Sequence, residues 1–282
     1  MRKTFNLKLG DKNLILGRRT VVAGVLNITP DSFSDGGQSY TTANAIERAL
    51  EIEEQGADIL EIGGESTRPG AIPVPVEEEL ARILPVLQAL QNRISIPISV
   101  DTYKNEVARQ ALNCGANIIN DISALRFDEA IADIVAKTGA GLILMHMRGE
   151  PSTMQQIAPS ENIFAEICAD IEIAVAKAVS RGVQRQQIIF DPGIGFGKTF
   201  EQNLTILNHL ERFAELNLPV MVGTSRKSFI GRITNRPANE RIFGTAASVA
   251  TAILRGAHMV RVHDVSEMME VSRITDAIAN AE

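Results

Sequence analysis

Ile96-Pro-Ile-Ser-Val-Asp101-Thr-Tyr-Lys-Asn105-Glu-Val-Ala-Arg-Gln-Ala-Leu-Asn113-Cys-Gly115-Ala-Asn117-Ile-Ile-Asn120-Asp121 holds one whole copy of the pattern that decides the fold. Residues 96–100 are a short apolar run without alternation, as expected of a strand buried on both faces of a parallel sheet. Residues 105–113 read as an amphipathic helix, and Gly115 follows as a helix-ending glycine. A second apolar run, 117–119, then begins. Each run stops at polar residues, Asp101 after the first and Asn120-Asp121 after the second.

The same unit recurs in both directions. Strands are expected over 21–26, 59–62, 96–100, 117–119, 141–145, 187–190, 219–222 and 257–262. Helices are expected over 43–55, 77–91, 105–113, 128–137, 164–181, 201–215, 239–255 and 266–279, and Gly56, Gly139, Gly182 and Gly256 close helices as Gly115 does. Eight strands alternating with eight helices over about 260 residues make an α/β protein of the (β/α)8 TIM-barrel class. A doubly wound sheet would call for a glycine-rich dinucleotide turn after the first strand, which is missing. Residues 5–9 and 14–16, joined by 10–13, read as a β-hairpin ahead of the barrel. With no linker or low-complexity tract, residues 1–282 read as a single barrel domain.

Composition narrows the function classes. Of 282 residues, 45% are hydrophobic and 22% charged, which supports a sizeable core. A net charge of −6 without a basic block argues against nucleic acid and anionic membrane as partners. No apolar run is long enough to span a membrane and no signal peptide opens the chain, so the expected location is cytoplasmic. The two cysteines, Cys114 and Cys168, lack metal-ligand spacing and read as buried thiols in a reducing compartment.

In this fold chemistry sits in the loops after the strands. All eight are polar here: Asn27-Ile-Thr-Pro-Asp-Ser-Phe-Ser-Asp-Gly-Gly37, Gly63-Gly-Glu-Ser-Thr-Arg-Pro-Gly70, Asp101-Thr, Asn120-Asp121, Met145-His146, Asp191-Pro-Gly-Ile-Gly-Phe-Gly-Lys198, Gly223-Thr-Ser-Arg-Lys-Ser228 and Arg261-Val-His263-Asp264. One such loop would be weak evidence; eight together are hard to read as structural. The glycines after Asp191 resemble a phosphate loop, yet Pro192 stands where a Walker pattern needs its first glycine. His146 reads better as a hydrogen-bonded core histidine than as a ligand, and no array of catalytic-zinc spacing exists. Arg261 and His263, two apart on a strand, point to one side and suit a small anion that Arg68 can reach. Asp101, Asn120 and Asp191, with Lys227 opposite, offer acceptors and donors to a flat heterocycle with an amino-amide edge.

The loops beginning at Asn27, Gly63 and Asp191 and the Ser225-Arg-Lys-Ser228 stretch resemble the dihydropteroate synthase family, from the hairpin through Arg261-Val-His-Asp264. The resemblance implies a folate-synthesis transferase that joins 4-aminobenzoate to 6-hydroxymethyl-7,8-dihydropterin diphosphate, releases diphosphate and is the target of sulfonamides. It implies that Asp101, Asn120, Met145, Asp191, Lys227 and Arg261 hold the pterin. Asn27, Arg68, Arg261 and His263 would meet the diphosphate, with one magnesium on Asn27. Phe33, Thr67, Pro69, Phe196 and Ser228 would line the aminobenzoate pocket, Ser228 near a helix N-terminus. Asp35, Lys227, Arg261 and His263 would serve catalysis, Asp35 by steadying a pterin methylene cation. Glu61 departs from the family pattern, standing where many members have aspartate. The family also implies a homodimer, for which the alanine-rich helix 239–255 is the physical support. Two rivals remain: a pterin-binding methyltransferase barrel, which should lack the long first and second loops, and an inactive pterin-binding barrel, against which the set Asn27, Arg68, Lys227, Arg261 and His263 speaks.

Overall fold

The structure, a computed structural model, describes residues 2–10, 12–29, 42–68 and 70–281. Strands β1 (Phe5–Leu9) and β2 (Lys12–Leu16) form an antiparallel hairpin in which Leu9 faces Lys12. The turn is therefore two residues tighter than the expected 10–13 connection, and its Asp11 lies outside the described residues. Eight parallel strands follow: β3 (Val21–Asn27), β4 (Ile59–Gly63), β5 (Ile98–Asp101), β6 (Ile118–Asp121), β7 (Gly141–Met145), β8 (Ile188–Asp191), β9 (Met221–Val222) and β10 (Met259–Val262). Their order is β8-β7-β6-β5-β4-β3-β10-β9, and a parallel bridge between Phe190 and Val220 joins the ends into a closed barrel.

Around it stand α1 (Thr42–Glu54), α2 (Val76–Leu90), α3 (Asn105–Asn113), α4 (Ala130–Thr138), α5 (Ile163–Ser180), α6 (Phe200–Asn208), α7 (Ser228–Thr234), α8 (Ile242–Leu254) and α9 (Val265–Ala279). Each turns an apolar stripe inward; α1 buries Ala45, Ala49 and Ile52 at helical spacing. Full burial of one aliphatic side chain of Ile or Leu size stabilises by roughly 1.5–3 kcal/mol, so these stripes hold the outer ring on the strands. Among the described residues no helix is long and apolar enough to cross a membrane.

Two helical expectations need correction. The stretch 201–215 is not one helix: α6 stops at Asn208, and Leu210–Leu216 continues as a 3-10 helix. Leu210, Phe213 and Leu216 are its buried residues, and a spacing of three matches three residues per turn. The stretch 239–255 also begins late, at Ile242, after a single 3-10 turn at Ala238–Glu240. Helix α7 was absent from the expected set. It is seven residues long and interrupted by Gly231, where a Cβ would lie 2.1 Å from the Arg241 guanidinium.

The barrel interior is stratified. At the N-terminal ends of the strands, Val21, Ala23, Ile59, Ile118, Ile143, Ile189, Met221 and Met259 pack with Leu7, Leu9 and Leu16 of the hairpin. The hairpin thus plugs the base. Because side chains alternate along a strand, the residues two further on also point inward, and these are Glu61, Asn120, Met145, Asp191 and Arg261. The apolar layer therefore carries a polar layer directly above it, toward the strands' C-terminal ends.

Candidate active site

Arg261 stands at the centre of that polar layer. Its Nε lies 3.5 Å from Glu61 Oε1 and its Nη2 3.4 Å from Asp191 Oδ2, with both carboxylates buried and Arg261 nearly so. Neither contact is a hydrogen bond in length and direction, and the surroundings leave many polar atoms unmatched. Among the described residues, Arg261 Nη1, Glu61 Oε2, Asp191 Oδ2, Ser99 Oγ, Thr224 Oγ1 and both amide atoms of Asn120 are buried without a hydrogen-bond partner. An unmatched buried polar group costs about 1–3 kcal/mol, so such a concentration marks a surface shaped for a polar ligand.

The charges are tuned by burial. Desolvation raises the Asp101 carboxyl well above the ordinary aspartate range, and neighbouring Glu61 raises it further. Burial also lifts Glu61, against the pull of Arg261. Lys227 is pushed down to about 7, first by desolvation and then by Arg261. Its Nζ sits 4.2 Å from the centre of the Phe196 ring. Arg261 moves the other way: burial opposes its charge, but Glu61, Asp191 and Asp101 together hold it more firmly protonated. The layer thus sets a permanent cation beside two carboxyls, Glu61 and Asp101, whose proton affinity burial raises, and a lysine whose proton affinity burial lowers.

Two loops position these groups. In the loop after β8, Asp191 Oδ1 accepts the Gly193 amide at 2.7 Å, and Gly193, Gly195 and Gly197 all take positive φ. A Cβ on Gly193 would lie 2.0 Å from the His146 carbonyl, so only glycine fits. The loop wraps Lys198, whose buried Nζ donates to the carbonyls of His146, Gly193 and Phe196 at 2.9–3.1 Å. In the loop after β9, Arg226 is held left-handed at φ +58 between Ser225 and Lys227. Its Nη2 donates to Asp264 Oδ1 at 2.5 Å and its amide to Thr245 Oγ1 at 3.1 Å. That strain fixes the direction in which Lys227 leaves the chain.

His263 lies just past β10, with Nδ1 2.9 Å from Ser225 Oγ; burial pushes its pKa down to about 4. Asn27, half-buried, ends β3, and its Oδ1 lies 3.5 Å from where a Cβ of Gly63 would stand. The loop after β4 is braced from behind. Lys104 Nζ binds Glu65, Glu79 at 2.5 Å and the Val74 carbonyl at 2.8 Å, while Tyr103 donates to Glu65 at 2.6 Å. That loop carries Thr67, half-buried, and Arg68, exposed. His146 is buried as expected, with Nε2 3.3 Å from Asp170 Oδ2 and no partner on Nδ1.

The profile of the family described as "Pterin binding enzyme" matches residues 23–263. A dihydropteroate synthase of Synechocystis sp. is 47% identical over 96% of this chain and 94% of its own length. The chain belongs to the dihydropteroate synthase family. Two solved structures of the family overlay closely. The Yersinia pestis dihydropteroate synthase with a sulfonamide drug complex is 38% identical, covers 98% of this chain and 100% of its own, and gives a TM-score of 0.92. The Xanthomonas albilineans dihydropteroate synthase with 4-aminobenzoic acid is 40% identical over 99% and 100%, with a TM-score of 0.91.

Of the dihydropteroate synthase residues expected from sequence, Asp101, Asn120, Met145, Asp191, Lys227 and Arg261 meet in or against the polar layer. Asn27, His263 and Phe196 lie at its margin, and Thr67, Arg68 and Ser228 nearer solvent. Ser228 is the first residue of α7, exposed. Phe33, Asp35 and Pro69 lie outside the described residues. Sequence reasoning missed Glu61 as a partner of Arg261, and Ser99, Lys198 and Lys104 altogether. For Glu61 and Ser99 the signal was there: each is a polar residue inside a run read as a buried strand.

Proposed function

We infer that this chain makes 7,8-dihydropteroate in folate biosynthesis, condensing 4-aminobenzoate with 6-hydroxymethyl-7,8-dihydropterin diphosphate. The observation that carries the reading is the layer of unmatched polar atoms around Arg261 at the barrel mouth. Asp191 Oδ2 and the Asn120 amide match the donors and acceptors of a pterin edge. Asp101, whose carboxyl burial raises well above the ordinary aspartate range, adds a further polar group to that edge. Lys227 donates beside them, Met145 packs beneath the ring, and Arg261 lies over it.

Arg261, His263, Asn27 and Arg68 receive the diphosphate. His263 is neutral in the free protein and takes up a proton as the anion arrives. The carbon–oxygen bond to diphosphate breaks with its electron pair leaving on oxygen, and Asp35 steadies the pterin methylene cation. The arylamine nitrogen then attacks that carbon and loses a proton. The half-buried amide oxygen of Asn27 at the strand end suits a magnesium ion, which takes few protein ligands beside a phosphate. When bound there, magnesium supplies charge neutralisation for the leaving group. Phe33, Thr67, Pro69, Phe196 and Ser228 line the aminobenzoate pocket, which a sulfonamide enters in the same orientation.

The decisive experiment supplies both substrates and magnesium to purified protein and measures diphosphate release together with dihydropteroate. Release without condensation would indicate a hydrolase; methyl transfer from methyl-folate to a corrinoid would establish the rival barrel. The protein works in the cytoplasm as a homodimer. Ile233, Phe243, Leu254, Ile274 and Ile278 are exposed on α7, α8 and α9, and α8 packs on both of the others. Phe243 is 87% exposed, so Phe243→Glu should shift the molecular mass in light scattering from dimer to monomer without unfolding the barrel.

A further inference from the structure

His146 is a buried titratable group that the reaction does not use. Its neighbour Met145 points into the barrel, so the His146 ring points out, beneath α5. The side chain is 1% exposed; Nδ1 has no hydrogen-bond partner, and Nε2 faces a carboxylate rather than a backbone group. Glu166 and Asp170 face it from α5, one helical turn apart and therefore on one side of that helix. Asp170 Oδ2 lies 3.3 Å from His146 Nε2, and one ligand atom from each of the three residues falls within 4.8 Å of the others. A cleft of about 240 Å³ opens beside them, lined by Arg126, His146, Met147, Asp170 and Lys177.

We propose that His146, Glu166 and Asp170 form a binding site for a divalent transition-metal ion, separate from the pterin pocket. One imidazole and two carboxylates make a three-ligand set of borderline softness, which suits zinc or cobalt better than magnesium or calcium, with water from the cleft as fourth ligand. The ring is ready to coordinate: desolvation, and then Lys198, hold it neutral, with its pKa pushed down to about 4. The two carboxylates give the ion its neutralising charge. Arg148 Nε, 2.6 Å from Glu166 Oε1, and Ser160 orient that carboxylate toward the ring. Arg126 and Lys177 line the cleft and Lys198 lies close to the ring; their positive charge opposes the ion, and the two carboxylates offset it. Through the backbone the site touches the pterin pocket: the His146 amide donates to the Asp191 carbonyl at 2.9 Å, so an ion here stiffens the β7–β8 pair that carries Asp191.

Chelator-treated full-length protein is titrated with zinc by calorimetry and with cobalt by visible absorption. One equivalent should bind, and cobalt should show the intense visible bands of a four-coordinate site. Asp170→Asn, on a half-exposed residue that leaves the core intact, should weaken binding about tenfold or more. His146→Gln should do the same if it folds, whereas Asn27→Ala and Cys168→Ala should leave affinity unchanged. The proposal is overturned by no uptake at ~100 μM metal, where a functional site would be filled. It is equally overturned by uptake that survives Asp170→Asn, or that disappears with Asn27→Ala or Cys168→Ala.

Discussion

Asp191 divides its carboxylate between two tasks. Oδ1 is committed to the Gly193 amide at 2.7 Å, while Oδ2 faces Arg261 at 3.4 Å without a hydrogen bond. Asp191→Asn keeps the shape, removes the charge and turns one acceptor into a donor. Pterin affinity measured by calorimetry should fall by roughly 2–4 kcal/mol, the scale of a lost charged hydrogen bond. Near wild-type affinity would place Asp191 outside the pterin site. The residues that could be found from sequence were those whose position alone betrayed them. Asp101, Asn120, Asp191 and Arg261 stand at or near strand ends, where a core residue would be apolar, and period-two alternation turns them toward one interior. Glu61 as the partner of Arg261, Lys198 amid three carbonyls and the left-handed Arg226 were not legible in this way. Each depends on a distance between segments far apart in the chain, which no local pattern encodes.

At the scale of elements, the loop after β8 is organised around Lys198. Desolvation pushes that amine down to about 7, yet three carbonyls converge on it. Lys198→Met fills similar volume but strands the His146 and Phe196 carbonyls, while the Gly193 carbonyl keeps the Phe196 amide. Urea denaturation should show a loss of about 3 kcal/mol, at roughly 1–3 kcal/mol per buried unmatched group. Pterin affinity should fall with it, since Asp191 is anchored in the same loop; a stable variant with unchanged affinity would make Lys198 incidental. The strands were readable because buried parallel strands leave unbroken apolar runs. The 3-10 segment at Leu210–Leu216 and the short α7 were not. A spacing of three over seven residues looks like helix, and a helix containing Gly231 looks like loop until Arg241 is seen to occupy the space.

For the molecule as a whole, one histidine ties the chain's start to the barrel base. His258 Nδ1 accepts the Val220 amide at 3.1 Å and its Nε2–H donates to the Lys3 carbonyl at 3.0 Å, which requires the neutral ring. Desolvation pushes its pKa down to about 4, against 6.5 for the ordinary side chain. The unfolded chain therefore takes up the proton first as pH falls. The stabilisation is complete above about pH 6.5 and is lost progressively toward pH 4. Stability measured from pH 7 to pH 4.5 should drop by about 1–3 kcal/mol more in the native protein than in His258→Gln, whose amide does not titrate. Identical pH profiles would remove His258 from the linkage. The plugged base has a second consequence, for traffic. A vessel sealed at the bottom loads from the top, and in the proposed placement the bicyclic ring would take the innermost berth with Thr67 and Ser228 at the threshold. On that placement the ring should board first, the arylamine follow, and the finished product leave whole. Stopped-flow mixing should show that protein pre-equilibrated with aminobenzoate admits the pterin more slowly, whereas protein loaded with pterin diphosphate admits aminobenzoate unhindered. Equal pterin entry rates with and without aminobenzoate would mean that the doorway is wide enough for both to pass.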